Sequence, residues 1–387
     1  MPIRFFTAGE SHGRAIIALL EGIPANLQVS KDYINIELQR RQRGYGRGGR
    51  MKIEKDEVEI LSGVRFGKTM GSPIALLIWN KDWENWSDKM AVEGSKGEGV
   101  VPFTRPRPGH ADLAGGIKYN QRDLRSILER ASARETAARV AVGAVCKRFL
   151  EEFGIKIGSY VVGMGRCTPK IEEEDLLKRH ELAEMSQVRF PNADKDEEFI
   201  GVIEEAKERG ESLGGVFEVF ALGVPPGLGS YIQWDKRIDG RIAQAIMSIH
   251  AIKGVEFGLG FRVGSMFGSE VHDEIGWTKE RGFFRHSNRL GGTEGGMTNG
   301  MPILVRAVMK PIPTLTKPLR SVDIETKEEV KAGKERSDIV AVAAASVVGE
   351  TMLAIVIADA LLEKIGGDFM EEVKERFKRY VEHVRGY

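Results

Sequence analysis

Ile3-Arg4-Phe5-Phe6-Thr7-Ala8-Gly9-Glu10-Ser11-His12-Gly13-Arg14-Ala15-Ile16-Ile17-Ala18-Leu19-Leu20 sets two apolar, strand-like runs on either side of a glycine-framed Glu-Ser-His. Alternation in the runs predicts half-buried strands, and Gly9 and Gly13 let the backbone turn between them, so the segment reads as a hairpin. Ser11 and His12 then stand at a strand junction. A histidine there either handles protons or satisfies turn backbone, and the rest of the chain has to decide which.

Outward from this hairpin, strand and helix patterns alternate with no dividing linker. One large domain spanning residues 1–387 is therefore expected. Of the residues, 42% are hydrophobic and 46 are glycine, which excludes a disordered chain and implies many tight turns. Lys plus Arg total 57 against 56 Asp plus Glu, a net charge of +1, so no global field draws the chain to nucleic acid or an anionic membrane. Cys146 and Cys167 form no CxxC pair, and the N-terminus lacks a signal-peptide pattern. A reducing cytoplasm is the expected location. The apolar window Ile339 to Leu362 contains Glu350 and Asp359, costly in lipid, and is read as a core helix.

Ser30 can cap a helix running to about Arg43, with Ile34 and Leu38 inward and Gly44 as its stop. It delivers Arg40-Arg41-Gln42-Arg43-Gly44-Tyr45-Gly46-Arg47-Gly48-Gly49-Arg50, five arginines without an acid. The GxGxxG match inside it follows a helix rather than a strand, which rejects a dinucleotide loop. Likewise Gly63 to Thr69 has one residue too few between its glycines for a phosphate loop. A long polar loop, Asn80 to Gly99, leads to Arg105-Pro106-Arg107-Pro108-Gly109-His110-Ala111-Asp112, a second histidine with arginine company.

Apolar residues at 124, 127, 128, 131, 138, 142, 145 and 149 predict one helix from about Leu124 to Glu152, carrying Arg130, Ser132 and Arg134 among alanines. Strand-like Val216 to Leu222 ends in Gly223-Val224-Pro225-Pro226-Gly227-Leu228, echoing Gly22-Ile23-Pro24-Ala25-Asn26-Leu27 at three of six positions. A helix pattern follows each copy, the second from about Asp235 to His250, which suggests an internal pseudo-repeat. Gly264 to Gly300 reads as a glycine-rich loop, Ile303 to Met309 as a strand, and Ser337 or Asp338 as a natural cap for the apolar helix. A closing amphipathic helix carries Phe369, Val373, Phe377, Tyr380 and Val384.

Acid-poor arginine sites, two histidines in rigid settings and several glycine-rich loops suit a small, multiply anionic ligand handled by acid–base chemistry. RNA binding through the single RGYGRGGR copy is disfavoured, because such segments are repeated and disordered. Phosphoryl transfer lacks its carboxylates for magnesium, and no metal site is expected.

GESHG with EGIP, RRQRGYGRGGRM, RPGHADLAGG, ERASARETAARVAVGA, IHAIKGVEFG, GGTEGGMTNG, KPIPT and RSDIVAVAAASVVGE occur in this order. In these motifs the chain resembles the chorismate synthase family over nearly its whole length. The resemblance implies an α+β fold, a β-α-β sandwich of antiparallel sheets and helices in one domain, assembled as a homotetramer. It implies conversion of 5-enolpyruvylshikimate 3-phosphate to chorismate and phosphate by anti-1,4-elimination. Reduced FMN is required with no net redox change, and NADPH acts only indirectly, through an external flavin reductase.

By the same resemblance Ser11, Arg41, Arg47, Arg50, Arg107 and Arg134 hold the substrate. His12 is the acid toward phosphate, His110 faces the reduced flavin, and Asp338 or the flavin itself takes the proton. FMN is held by Arg130, Ala131, Ser132, His250, Ala251, Gly295, Lys310, Pro311, Ile312, Pro313, Thr314 and Arg336. His250 departs from the amide expected in that position.

Overall fold

The computed structural model describes residues 2–48, 55–94, 100–335 and 337–387. The opening segment is a hairpin: β1 (Arg4–Ala8) pairs antiparallel with β2 (Ala15–Glu21), Phe6 opposite Leu19 and Ala8 opposite Ile17. Gly9 makes the exit from β1 possible. Its φ is +103°, and a Cβ there would lie 2.2 Å from the Ala15 carbonyl oxygen, which no side chain tolerates.

β3 (Val58–Ile60) and β4 (Ile74–Trp79) complete a four-stranded antiparallel sheet in the order β1-β2-β4-β3. A second sheet contains β5 (Lys156–Met164), β6 (Gly215–Leu222), β7 (Ile252–Phe257) and β8 (Ile303–Met309), in the order β5-β6-β8-β7. Between the sheets lie α1 (Lys31–Gln42), α2 (Thr136–Glu151), α3 (Ile238–Met247) and α4 (Val342–Ile365). α2 packs on β2 and β4, α4 packs on β5 and β6, and the two long helices pack on each other. Their close crossing depends on Gly143, where a Cβ would stand 2.2 Å from Thr351 Cβ. The fold is therefore an α+β sandwich in one domain, with antiparallel sheets outside and helices inside.

One hydrophobic core joins the layers, with Leu20, Ile34, Phe149, Phe217 and Leu353 fully buried. Each such side chain contributes about 1.5–3 kcal/mol by leaving water. α4 is apolar and long enough to cross a membrane, but 94% of its most apolar stretch is buried inside the protein, as in the core helix of a soluble protein.

The sequence expectations need four corrections. The helix expected over Leu124–Glu152 is two helices, Arg125–Arg130 and α2, separated where Ser132 turns extended (φ −71°, ψ 143°) and caps through Arg134 N. The Gly264–Gly300 stretch holds two hairpins, Ile275–Thr278 with Gly282–Arg285 and Thr293–Glu294 with Met297–Thr298, pinned by Arg285–Glu294 and by Asp273. The helix expected over Asp235–His250 is the shorter α3, preceded by a turn at Trp234–Lys236. Finally, α4 starts at Val342 after Ala341, so Asp338 caps nothing. By contrast, Ser30 caps α1 through Tyr33 N as the sequence indicates.

The two echoing turns share their hydrogen bonds. Thr69 Oγ1 donates to Pro24 O at 2.6 Å and accepts from Leu27 N at 2.9 Å. Thr298 Oγ1 donates to Pro225 O at 2.7 Å and accepts from Leu228 N at 2.9 Å. Each threonine also exchanges backbone bonds with its turn, Thr69 with Leu27 and Asn26, Thr298 with Leu228 and Gly227.

Candidate active site

The hairpin turn, the 80–94 segment, the 105–112 segment, the Ser132 break, the β7 entry and the 310–316 segment close around one cavity of about 1250 Å³. That exceeds the roughly 300–1,000 Å³ usual for a single small ligand. Lys89, Arg107, Lys310 and Lys334 line it, with Asp82 and Glu335 as the acids on its wall.

His12 reaches the wall because Asn80 holds the turn, donating to the carbonyls of Glu10 and Gly13. Behind it lies Glu129, whose side chain is fully buried. His12 Nδ1 stands 2.9 and 3.0 Å from its two oxygens, and His12 N donates to it at 2.7 Å. Burial would raise the Glu129 carboxyl, but the His12 bonds outweigh it and hold it below the usual range. Trp86 stacks on the imidazole, centroids 3.9 Å apart and planes at 19°.

His110 repeats the pairing. Its Nδ1 lies 2.6 Å from Asp112 Oδ1, and Arg107 donates from Nε to Asp112 Oδ2 at 2.9 Å and from Nη1 to Thr314 at 2.9 Å. Burial works against the Asp112 charge, yet the bonds from His110 and Arg107 keep its carboxyl well below the ordinary range. Ser11 also lines the cavity, and its hydroxyl accepts from Ser132 at 3.1 Å.

Other expected residues stand farther back. Arg41 and Arg134 are buried around Asp56, at 2.6 and 2.5 Å, and Arg134 Nε donates to Asn80. Burial, then the neighbouring Arg134 and Arg47, lowers Arg41 despite Asp56, while the two arginines bring the Asp56 carboxyl down against its burial. Arg47 contacts Asp338 at 3.1 Å, and Asp338 Oδ1 accepts from Gly48 N at 2.6 Å; the adjacent Ser337 is on the cavity wall. Arg50 and Arg336 lie outside the described residues.

Of the residues expected to hold a cofactor, Ala131, Ser132, His250, Ala251, Lys310, Ile312, Pro313 and Thr314 line the cavity. Pro311 stands among them off the wall. Arg130 instead clasps the first hairpin, donating to Thr7 O and Gly9 O, and Gly295 sits at a hairpin tip beside the second-sheet turn. Ala251 is held at φ +65°, costly without glycine, and its carbonyl accepts from Lys310 N. His250 Nδ1 is buried with no hydrogen-bond partner. Burial lowers the His250 pKa, partly offset by Glu135 and reinforced by Arg139, His110 and Arg130. Burial and the nearby Lys253 lower that of Lys310.

Sequence reasoning missed Glu129, Asp56, Asn80, Trp86, Lys89 and Lys334. Glu129 lies inside a quoted motif, where a carboxylate four residues after an arginine reads as an ordinary helical ion pair. Nothing local marks Asp56.

Among the described residues, two carboxylate-backed histidines and four cations line one half-open cavity, a combination suited to an enzyme acting on anionic small molecules. The chorismate synthase family model matches residues 3–362. A chorismate synthase of Aquifex aeolicus is 73% identical over all of this chain and 99% of its own length, and one of Sulfurihydrogenibium sp. is 61% identical over the full length of both. A solved crystal structure of a chorismate synthase superposes with a TM-score of 0.83 at 60% identity, covering 100% of this chain and 99% of that one. The chain belongs to the chorismate synthase family, lyases of the last step of the shikimate pathway.

Proposed function

We propose that this chain, as one catalytic domain spanning residues 1–387, converts 5-enolpyruvylshikimate 3-phosphate to chorismate and phosphate by anti-1,4-elimination, with reduced FMN and no net redox change. The observation that carries the reading is the large cavity whose wall, among the described residues, holds both His12 and His110, each tied to a buried carboxylate, with four cations.

His12 gives a proton to the departing phosphate. Arg107, Lys310, Lys334 and Lys89 gather the substrate's carboxylates and phosphate, with Arg41, Arg47 and Arg134 contributing positive charge from behind the wall, and Arg50 is a further arginine assigned to the substrate. His110, held by Asp112, would protonate or neutralise the reduced flavin. Asp338, which accepts from Gly48 N–H and contacts Arg47, is one candidate to receive the substrate proton, and the flavin is the other.

The residues fit FMN. The orphaned His250 Nδ1 needs a partner, the small Ala131-Ser132-Ala133 break admits a flat ring, and the Lys310–Thr314 segment lies opposite. When bound, reduced FMN supplies electron density to the allylic system losing phosphate. We take it to come from an external reductase, with NADPH acting only through that step, in a cytoplasmic homotetramer. Assembly is supported by the outer face of the first sheet, where Phe6, Ile17, Leu19 and Trp79 are exposed.

The test is phosphate release and chorismate absorbance under anaerobic conditions, with FMN reduced, oxidised or absent. Product should form only in the first arm; equal turnover with oxidised FMN sinks the reading.

A further inference from the structure

The bonds around Glu129 specify more than a place for His12. Glu129 accepts from the His12 backbone N and faces Nδ1 with both oxygens, while its own carbonyl accepts from Ser11 N at 3.0 Å. The imidazole is held on its face as well, stacked on Trp86, over which the Arg125 guanidinium lies at 5.3 Å. Arg125 also stands 3.4 Å from Glu129, so three elements fix the carboxylate and the ring together. A carboxylate only accepts, so the hydrogen between them sits on Nδ1.

We propose that Glu129 is the positioning residue that selects the Nδ1–H tautomer of His12 and thereby makes Nε2 its proton-exchanging nitrogen. This rests on the role given to His12 above. When Nε2–H protonates the phosphate oxygen as the carbon–oxygen bond breaks, the ring that remains is neutral with its hydrogen on Nδ1. That is the tautomer the carboxylate already binds, so no ring flip or second proton movement is required. Glu129 stays ionised throughout, and solvent returns the proton to Nε2. The depressed Glu129 carboxyl agrees with this.

The test is the nitrogen NMR spectrum of ¹⁵N-histidine-labelled protein, assigned with His12→Ala, read beside anaerobic kinetics. In the parent, neutral His12 should show a protonated Nδ1 and an unprotonated Nε2. The opposite tautomer there overturns the proposal without any variant. Glu129→Gln keeps an acceptor for the His12 amide but turns an N–H donor toward Nδ1. It should invert the tautomer and lower kcat by about 10²–10⁴, the range for one positioned proton-transfer group, with KM nearly unchanged. Glu129→Asp should keep the parent tautomer and recover part of kcat. A folded Glu129→Gln with the parent tautomer and kcat within a few-fold of the parent also overturns it. A parent inactive on the substrate but with the expected tautomer would defeat the proposed reaction and leave the tautomer assignment standing.

Discussion

Arg40 and Arg41 are consecutive residues of α1, yet they enter two regions that use the same ingredients differently. Arg40 points into the core, where it, Lys147 and Arg189 meet Glu37, Glu184 and Glu350; Glu350 is fully buried and also accepts from Ser159. His180 joins this cluster, accepting from Ser159 N, and burial lowers its pKa, with Glu350 working the other way. His180, Glu184 and Glu350 are close enough to chelate an ion, but three cations already bond the carboxylates. Among the described residues most of these bonds run within the cluster, with Arg189 also reaching Ser346 and Glu184 facing Arg43. On Arg41's side, carboxylates again hold cations and imidazoles, but His12, His110 and Arg107 line the cavity. A network that closes on itself clamps the fold; one that ends at open space is available to a ligand.

The sharpest way to break this contrast is Glu350→Gln. Arg40, Lys147 and Arg189 would keep their charges in the core, and removal of one partner from such a buried set costs about 3–5 kcal/mol. We expect a large fall in the denaturation midpoint. An unchanged midpoint would mean that the cluster is no clamp.

His12→Ala and His110→Ala should do the reverse, slowing turnover by about 10²–10⁴ each while the midpoint moves little. Loss of soluble protein would assign both histidines to the fold. Lys310→Met sharpens the contrast at smaller scale. It should weaken substrate or flavin binding by about 1.5–3 kcal/mol in a calorimetric titration, the scale of one charge-assisted contact; normal binding of both ligands would remove it from the site.

Acidification should test the buried cluster by stability. His180 is depressed from 6.5 in the fold, so its contribution is complete above that value and is lost as pH falls through its folded pKa. Glu184 is lowered to about 2 from 4.5, burial notwithstanding, by Arg40 and Arg189. Its contribution is full above 4.5 and lost toward 2. Stability should therefore decline in two stages on acidification, and His180→Asn should flatten the first. An unaltered first stage would exclude His180 as its source.

Much of this was legible in the chain. The hairpin, α1 with its Ser30 cap, the strands at 74–79 and 303–309 and the buried α4 follow from alternation, capping and apolar periodicity. His12, His110 and Arg107 follow from rigid, acid-poor settings. The break at Ser132 was not legible, because apolar spacing is satisfied on both sides of it, and only tertiary bonds from Ser132 to Ser11 and Arg134 fix the kink. Nor does local sequence separate Arg40 from Arg41: their partners, Glu350 and Asp56, lie 310 and 15 residues away. Asp338 looked like a cap because it precedes an apolar run, while the structure directs it to Gly48 N, 290 residues earlier.

The central claim is that one cavity holds substrate and reduced flavin for a redox-neutral elimination. It is tested most directly by an anaerobic progress curve with FMN far below the substrate concentration, following phosphate and oxidised-flavin absorbance together. Substrate should be exhausted, product should exceed FMN many-fold and the flavin should still be reduced at the end. Product formation that stops at one equivalent per flavin, or flavin that oxidises in step with phosphate release, would contradict it.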